Sequence, residues 1–278
     1  AAVSACEKGG EWERAVWLTR ETGAIGLSPG NTVFNAALSA CGRRGRWDWT
    51  TQLLLEMRQL GASRDEITCS AAVSACEKGG AKWDRALQLL GEARSSDITF
   101  AVHACSSAMS CCEKGRRWQW AVLLMVQLQQ SMVTPNAISF GALVSACEKG
   151  GQWLDAVRLA RLAGSAGLEP EVATCSAAIS ACSRVGSWRC ATFLLWDMQC
   201  STPKPDSVAF DAALEACRVG KQWGAAWRCL RIMQSSSLEV DAVGYSAAVG
   251  ACEAGGHTGH LPGLLRHLDG RAVELLPV

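Results

Sequence analysis

Ser70-Ala-Ala-Val-Ser-Ala-Cys76-Glu-Lys-Gly-Gly80, with Trp83 close behind, decides the fold because it returns along the chain. Asn35-Ala-Ala-Leu-Ser-Ala-Cys41 and Ser176-Ala-Ala-Ile-Ser-Ala-Cys182 are near copies, and Asp211 to Cys217 and Ser246 to Cys252 keep the pattern. The closing cysteine falls at Cys6, Cys41, Cys76, Cys112, Cys147, Cys182, Cys217 and Cys252, always 35 residues apart except for one interval of 36. Tryptophan keeps the same beat at Trp12, Trp47, Trp83, Trp118, Trp153, Trp188 and Trp223, with the extra residue between Cys76 and Trp83. Two chemically unrelated residues on one period mark a repeat architecture.

Inside a repeat the signals describe two helices. The Ala-rich segment favours helix and lets backbones approach closely. Gly45, Gly79, Gly115, Gly150, Gly186 and Gly220 are expected to end it as left-handed caps or tight turns. A second stretch, such as Trp47 to Leu60 or Trp153 to Ala166, places apolar residues at i, i+3, i+4 and i+7. Pro29, Pro135, Pro170 and Pro205 stop the second helix in four repeats. Strand alternation is absent. The expected fold is all-α: a right-handed superhelical solenoid of helix-turn-helix repeats with a 35-residue period and about sixteen helices.

Counting back ten residues from each cysteine divides the chain into a truncated repeat, 1–30, and repeats 31–65, 66–101, 102–136, 137–171, 172–206, 207–241 and 242–276. All belong to a single solenoid spanning 1–278 in this reading. Ser95-Ser-Asp-Ile-Thr-Phe100 departs from its counterparts, and local fraying is expected near Ser95. Residue 1 falls inside an expected helix, so the chain is expected to be a piece of a longer protein.

The totals narrow the function. With 49% hydrophobic residues, the 278-residue chain can build a continuous core. A net charge of +1 argues against indiscriminate attraction to nucleic acid or anionic membrane, while leaving room for a local basic stripe. Without an apolar run near the ~18 residues of a spanning helix, no membrane partner is expected. Fifteen cysteines, an odd number without a CxxC, follow the packing period. They are expected to be free thiols filling small core positions in a reducing compartment.

The strict 35-residue helix pair, Asn or Ser near the start of its first helix, and Pro205-Asp206 before Val208-Ala-Phe210 resemble the pentatricopeptide repeat (PPR) family. The resemblance covers essentially the whole chain. It implies single-stranded RNA binding at one base per repeat, in RNA processing, stabilisation or translation in a mitochondrion or chloroplast. Other RNA-processing proteins are expected as further partners, and no cofactor is expected. Base choice in the family depends on a residue near the start of the first helix, here Asn35, Ser70, Ser106, Gly141, Ser176, Asp211 and Ser246. Its partner is the last residue of the repeat, here Asp65, Ala101, Asn136, Glu171, Asp206, Asp241 and Leu276. Asn35 with Asp65, Ser106 with Asn136 and Ser176 with Asp206 resemble readable pairs, implying U, A and G in that order. The bland reading of Asn and Ser here is helix capping.

Two further ladders follow the same register. The family places an aliphatic side chain between bases, and Ile67, Ile138, Val208 and Val243 hold that position, as do Thr32, His103 and Ala173. Packing between repeats is the alternative. Two residues after the ladder cysteine come Lys8, Arg43, Lys78, Lys114, Lys149 and Arg184. One cation per repeat suits a phosphate backbone, and it equally suits a helix C-terminus.

Other constellations are weak. His257-Thr-Gly-His260 lacks further ligands at zinc spacing, so no metal site is expected. Neither an H-x-E with C-x-x-C nor an acidic metal cluster points to catalysis, and no enzyme activity is expected. The competing function is a protein-binding scaffold of the tetratricopeptide type, whose period is 34 rather than 35.

Overall fold

The computed structural model describes residues 2–25, 29–80, 82–95, 102–131, 134–168, 171–200, 204–236, 238 and 240–256. They form fifteen α-helices and no strand among the described residues. In chain order these are α1 (Ala2–Gly9), α2 (Trp12–Ala24), α3 (Asn31–Arg43), α4 (Trp47–Gln59), α5 (Glu66–Lys78), α6 (Trp83–Ser95), α7 (Val102–Lys114) and α8 (Trp118–Gln130). Then come α9 (Ala137–Lys149), α10 (Trp153–Ser165), α11 (Val172–Ser183), α12 (Trp188–Cys200), α13 (Ser207–Val219), α14 (Trp223–Ser235) and α15 (Ala242–Ala254). The expected all-α helical repeat is therefore found. Any sixteenth helix, together with His257, His260 and Leu276, lies outside the described residues, as do Ala101 and Pro170. Of the irregular stretch near Ser95, α6 is helical through Ser95 and residues 96–101 are not described.

The chain divides into two compact units, Ala1–Ala146 and Cys147–Val278. In the first, α1 packs on α3, α3 on α5 and α5 on α7. In the second, α11 packs on α13 and α13 on α15. Within the units α3, α5 and α13 thus have a neighbouring first helix on either side, and mainly small residues fit between. Ala37, Leu38, Ala40 and Cys41 of α3 are wholly buried, as are Ala213, Leu214, Ala216 and Cys217 of α13. The second helices bury one face only, as Leu53, Leu54 and Met57 do in α4, while Leu55 stays exposed.

The turn between the two helices shows why the ladder residues recur. In most turns the carbonyl of the ladder cysteine accepts the amide five residues on, from Arg46 to Cys41 at 3.0 Å, Arg117 to Cys112 at 2.8 Å and Gln222 to Cys217 at 2.9 Å. At Cys76, where the extra residue lies, the donor is Lys82, six residues on, at 3.2 Å. The five-residue bond closes a Schellman-type cap, whose hallmark is a left-handed residue just before the donor. Gly45 (φ +67°) and Gly186 (φ +67°) hold it as expected. Elsewhere the expectation was one residue early: the left-handed residue is Gly80, Arg116, Gly151 or Lys221, not Gly79, Gly115, Gly150 or Gly220. Gly79, Gly115 and Gly220 answer a different constraint. A Cβ on Gly79 would meet the Gly45 carbonyl and stand 2.7 Å from Trp47 Cδ1. On Gly115 it would stand 2.6 Å from Trp83 Cδ1, and on Gly220 2.7 Å from Trp188 Cδ1. The indole that opens one second helix is seated on the turn of the next repeat. A cation from that repeat covers it: Arg46 over Trp12 at 4.4 Å, Lys82 over Trp47 at 5.3 Å and Arg117 over Trp83 at 4.8 Å.

All fifteen cysteines are described and all are free thiols. Burial pushes Cys41, Cys76, Cys112 and Cys147 up to about 11. A neutral buried thiol behaves as a small apolar group and is a poor nucleophile.

Gly79→Ala is expected to destabilise the chain by about 1–3 kcal/mol through overpacking against Trp47. Gly91→Ala, inside α6 with nothing within 4 Å of the added Cβ, should stabilise it by roughly 1 kcal/mol. Urea melts of both variants decide this, and equal effects would refute the seat. Alkylation at pH 8 should modify exposed Cys200 first and spare Cys41, Cys76 and Cys147. In denaturant without reductant all fifteen should react, and two or more blocked thiols would contradict the packing role.

Candidate nucleic-acid interface

The three pairs read as base-selecting are brought together. In the first unit Asn35 Nδ2 donates to Asp65 Oδ2 at 2.9 Å and to Oδ1 at 3.2 Å. The Ser106 hydroxyl lies 3.4 Å from Asn136 Oδ1. In the second unit Ser176 Oγ donates to Asp206 Oδ1 at 3.2 Å. The partners of Ser70, Ser246 and Gly141 add nothing comparable: Ala101 and Leu276 are not described, and Gly141 has no side chain to meet Glu171. Ser70 is half-buried, while Ser246 is exposed and donates to the Val243 carbonyl at 2.8 Å.

Capping belongs to the other member of each pair. Asp65, Asp206 and Asp241 accept the amides of Thr68, Ala209 and Gly244 at 2.8, 2.9 and 2.8 Å, and Asn136 accepts that of Ser139 at 2.9 Å. Asn35, at the fifth residue of α3, caps nothing, because an N-cap must precede the first turn. Sequence reading missed a third participant. Thr68 Oγ1 bridges Asn35 Oδ1 and Asp65 Oδ1, both at 2.7 Å, and Ser139 Oγ bridges Ser106 Oγ and Asn136 Oδ1, both at 2.8 Å. Its signal was present, since Thr68 and Ser139 share the third position of their helices. Burial raises the Asp65 carboxyl, but hydrogen bonds from Thr68 and Asn35 outweigh it and hold the group below the usual carboxylate value. Ser106 and Ser176 are themselves buried, at 4% and 5% exposure, whereas Asn35 is half-buried.

Asp211 and Asp241 make a different pair. Asp211 Oδ1 is buried without a hydrogen-bond partner among the described residues. Burial, then the charges of Asp241 and Asp206, push its pKa up to about 6.

The aliphatic ladder is open to solvent. Ile67 is 59% exposed, Ile138 57%, Val208 56% and Val243 60%. Thr32, His103 and Ala173 are also exposed. Packing between repeats does not explain such side chains. The cation ladder holds a surprise: Arg43 Nη2 lies 3.4 Å from Glu7 Oε1, Lys114 Nζ 3.4 Å from Glu77 Oε1 and Arg184 Nη2 4.0 Å from Glu148 Oε1. Lys8 and Lys78 are exposed, and Lys149 is half-buried. The glutamates all sit directly after a ladder cysteine, a regularity that the sequence displays but that reads locally as a solvated helix end.

Residues 32–61 match the family model for the PPR repeat. No curated protein matches the chain. Among solved structures, PPR10 from maize aligns with 96% of this chain and 43% of its own at 17% identity and a TM-score of 0.64. PPR10 in complex with an 18-nt psaJ RNA element aligns with all of this chain and 39% of its own, at 22% identity and a TM-score of 0.69. This is a PPR fold. The PPR domain of Arabidopsis thaliana protein-only RNase P 1, in complex with tRNA, shares it over 68% of this chain and 98% of its own, at 16% identity and a TM-score of 0.60. The chain spans about two fifths of the length of the PPR10 structures. The PPR resemblance read from the 35-residue beat therefore holds, at one repeat through the family model and across the chain through the fold.

The Asp211 carboxyl gives a test of the site's electrostatics. Between the ordinary carboxylate value and about 6, the folded chain keeps a proton that the unfolded chain has lost, so stability falls as pH rises through that window. Asp211→Asn should melt higher than wild type at pH 7, with the difference closing toward pH 4. Identical differences at both pH values would refute the raised pKa.

Proposed function

We propose that this chain binds single-stranded RNA at one base per repeat, as one array of repeats 31–65 through 242–276, and acts in organellar RNA processing, stabilisation or translation. The observation that carries the reading is a composite one. Asn35–Asp65, Ser106–Asn136 and Ser176–Asp206 are the pairs in hydrogen-bond reach, and each is followed two residues on by an exposed aliphatic side chain, Ile67, Ile138 or Val208. A polar pair beside an apolar wedge matches what an unstacked base offers: an edge to hydrogen-bond and two faces to cover. Binding rather than catalysis is proposed. Other RNA-processing proteins are proposed as second partners, on the apolar side chains that the second helices leave exposed, such as Trp17, Trp120 and Trp196. Ser70, Asp211–Asp241 and Ser246 are proposed as weaker base-facing positions, with Val243 as a further wedge.

In chain order the three pairs imply U-n-A-n-G. With three positions specified, discrimination should total a few kcal/mol at about 1–3 per base. Selection from a random RNA library is expected to enrich this spaced trio and to reject duplex. Asn35→Ser should shift the first position toward a purine, specifically G, with the α5 cap on Asp65 kept, because Asn35 is not itself the cap. Enrichment of unrelated sequences, or equal capture of duplex, would sink the proposal.

A further inference from the structure

The cations of the ladder are not equivalent. Arg43 and Lys114 each reach back across a repeat boundary to the glutamate that follows the previous ladder cysteine, Glu7 and Glu77, at 3.4 Å. Arg43 also donates to the Glu7 carbonyl at 3.3 Å. Lys78 breaks the rule. The residue at the glutamate's place is Gly42, which has no side chain and lies so near the α5 backbone that a Cβ would stand 3.0 Å from the Ala71 carbonyl. Lys78 is exposed and has no ion pair or hydrogen bond among the described residues. It lines a groove along α3 and α5 with Ser39, Gly42, Arg43, Ser70 and Ser74.

Resting on the RNA reading above, we infer that the residue after each ladder cysteine sets how far the next repeat's cation is available to an RNA phosphate. Of Arg43, Lys78 and Lys114, Lys78 carries the strongest phosphate contact. At Arg43 and Lys114 a phosphate must displace a carboxylate and then stay beside it. Both ion pairs are partly exposed, with the cation side chains 54% and 46% accessible. They are therefore weak enough to open yet strong enough to compete. Gly42 is the specificity-determining position: its missing carboxylate exposes one cation and deepens the groove beside it.

The test measures affinity of the full 278-residue chain for mixed-sequence single-stranded RNA across a potassium chloride series. Lys78→Ala should reduce the slope of log K against log salt by about 0.7, the value for one phosphate contact on a single strand. Lys114→Ala should reduce it by clearly less. Glu77→Gln should tighten binding a few-fold and steepen the slope, and in that background Lys114→Ala should cost as much slope as Lys78→Ala does. Unchanged melting midpoints establish that these surface variants are folded. Equal losses for the two lysine variants, with Glu77→Gln neutral, overturn the inference and leave RNA binding standing. A wild-type chain without salt-dependent RNA binding, or one that captures only protein, removes the RNA reading and this inference together.

Discussion

An indole lying on a glycine turn is the contact that locks neighbouring repeats together at three places within the two units. Trp47 rests on Gly79, Trp83 on Gly115 and Trp188 on Gly220, each so close that a single added methyl group would collide. A helix pair of this size buries too little apolar surface to fold alone, so the contact between neighbours supplies what the pair lacks. The 35-residue beat is the imprint of that need. Where Gly79 would admit a side chain, the indole could not settle, and the first helices would be held too far apart for their Ala and Cys residues to meet. The cation lying over the indole closes the same seat from outside.

That close approach explains the unusual composition. First helices flanked on both sides, such as α5 and α13, leave room for little beyond alanine and cysteine at the ladder position. A thiol fills the space with polarisable volume and demands no hydrogen bond, whereas a serine there would need one. The Cys backbone does a second job, since its carbonyl receives the amide that closes the turn. Side chain and main chain of one residue therefore answer to packing and to capping at once, and the residue returns every repeat.

Helix starts such as Asn31, Glu66 and Ser207 were legible because cysteine and tryptophan fix the register twice over. The left-handed position is misplaced by one at Gly79-Gly80 because two glycines stand side by side and sequence does not say which needs the conformation and which the space. At Gly115 and Gly220 the left-handed residue is a non-glycine, Arg116 or Lys221, which residue type does not announce. The polar pairs were legible through family resemblance, yet the burial of Ser106 and Ser176 and the bridging hydroxyls of Thr68 and Ser139 were not. Those depend on contacts between residues some thirty positions apart. The glutamate partners of Arg43 and Lys114 escaped for the same reason, since an acid next to a lysine on a helix reads as surface until the neighbouring repeat is in place.

The double duty of Asp65, Asn136 and Asp206 makes the two halves of a pair unequal as targets for change. Asn35 answers only to its neighbours, so its replacement leaves the following helix intact. Asp65 also starts α5, where few side chains other than Asp, Asn, Ser and Thr satisfy the first free amides, and alanine would cost about 1 kcal/mol. A lineage or a designer recoding this chain can therefore vary Asn35, Ser106 or Ser176 without touching a helix start, whereas a change at Asp65, Asn136 or Asp206 away from Asp, Asn, Ser and Thr also weakens the first turn of the next helix.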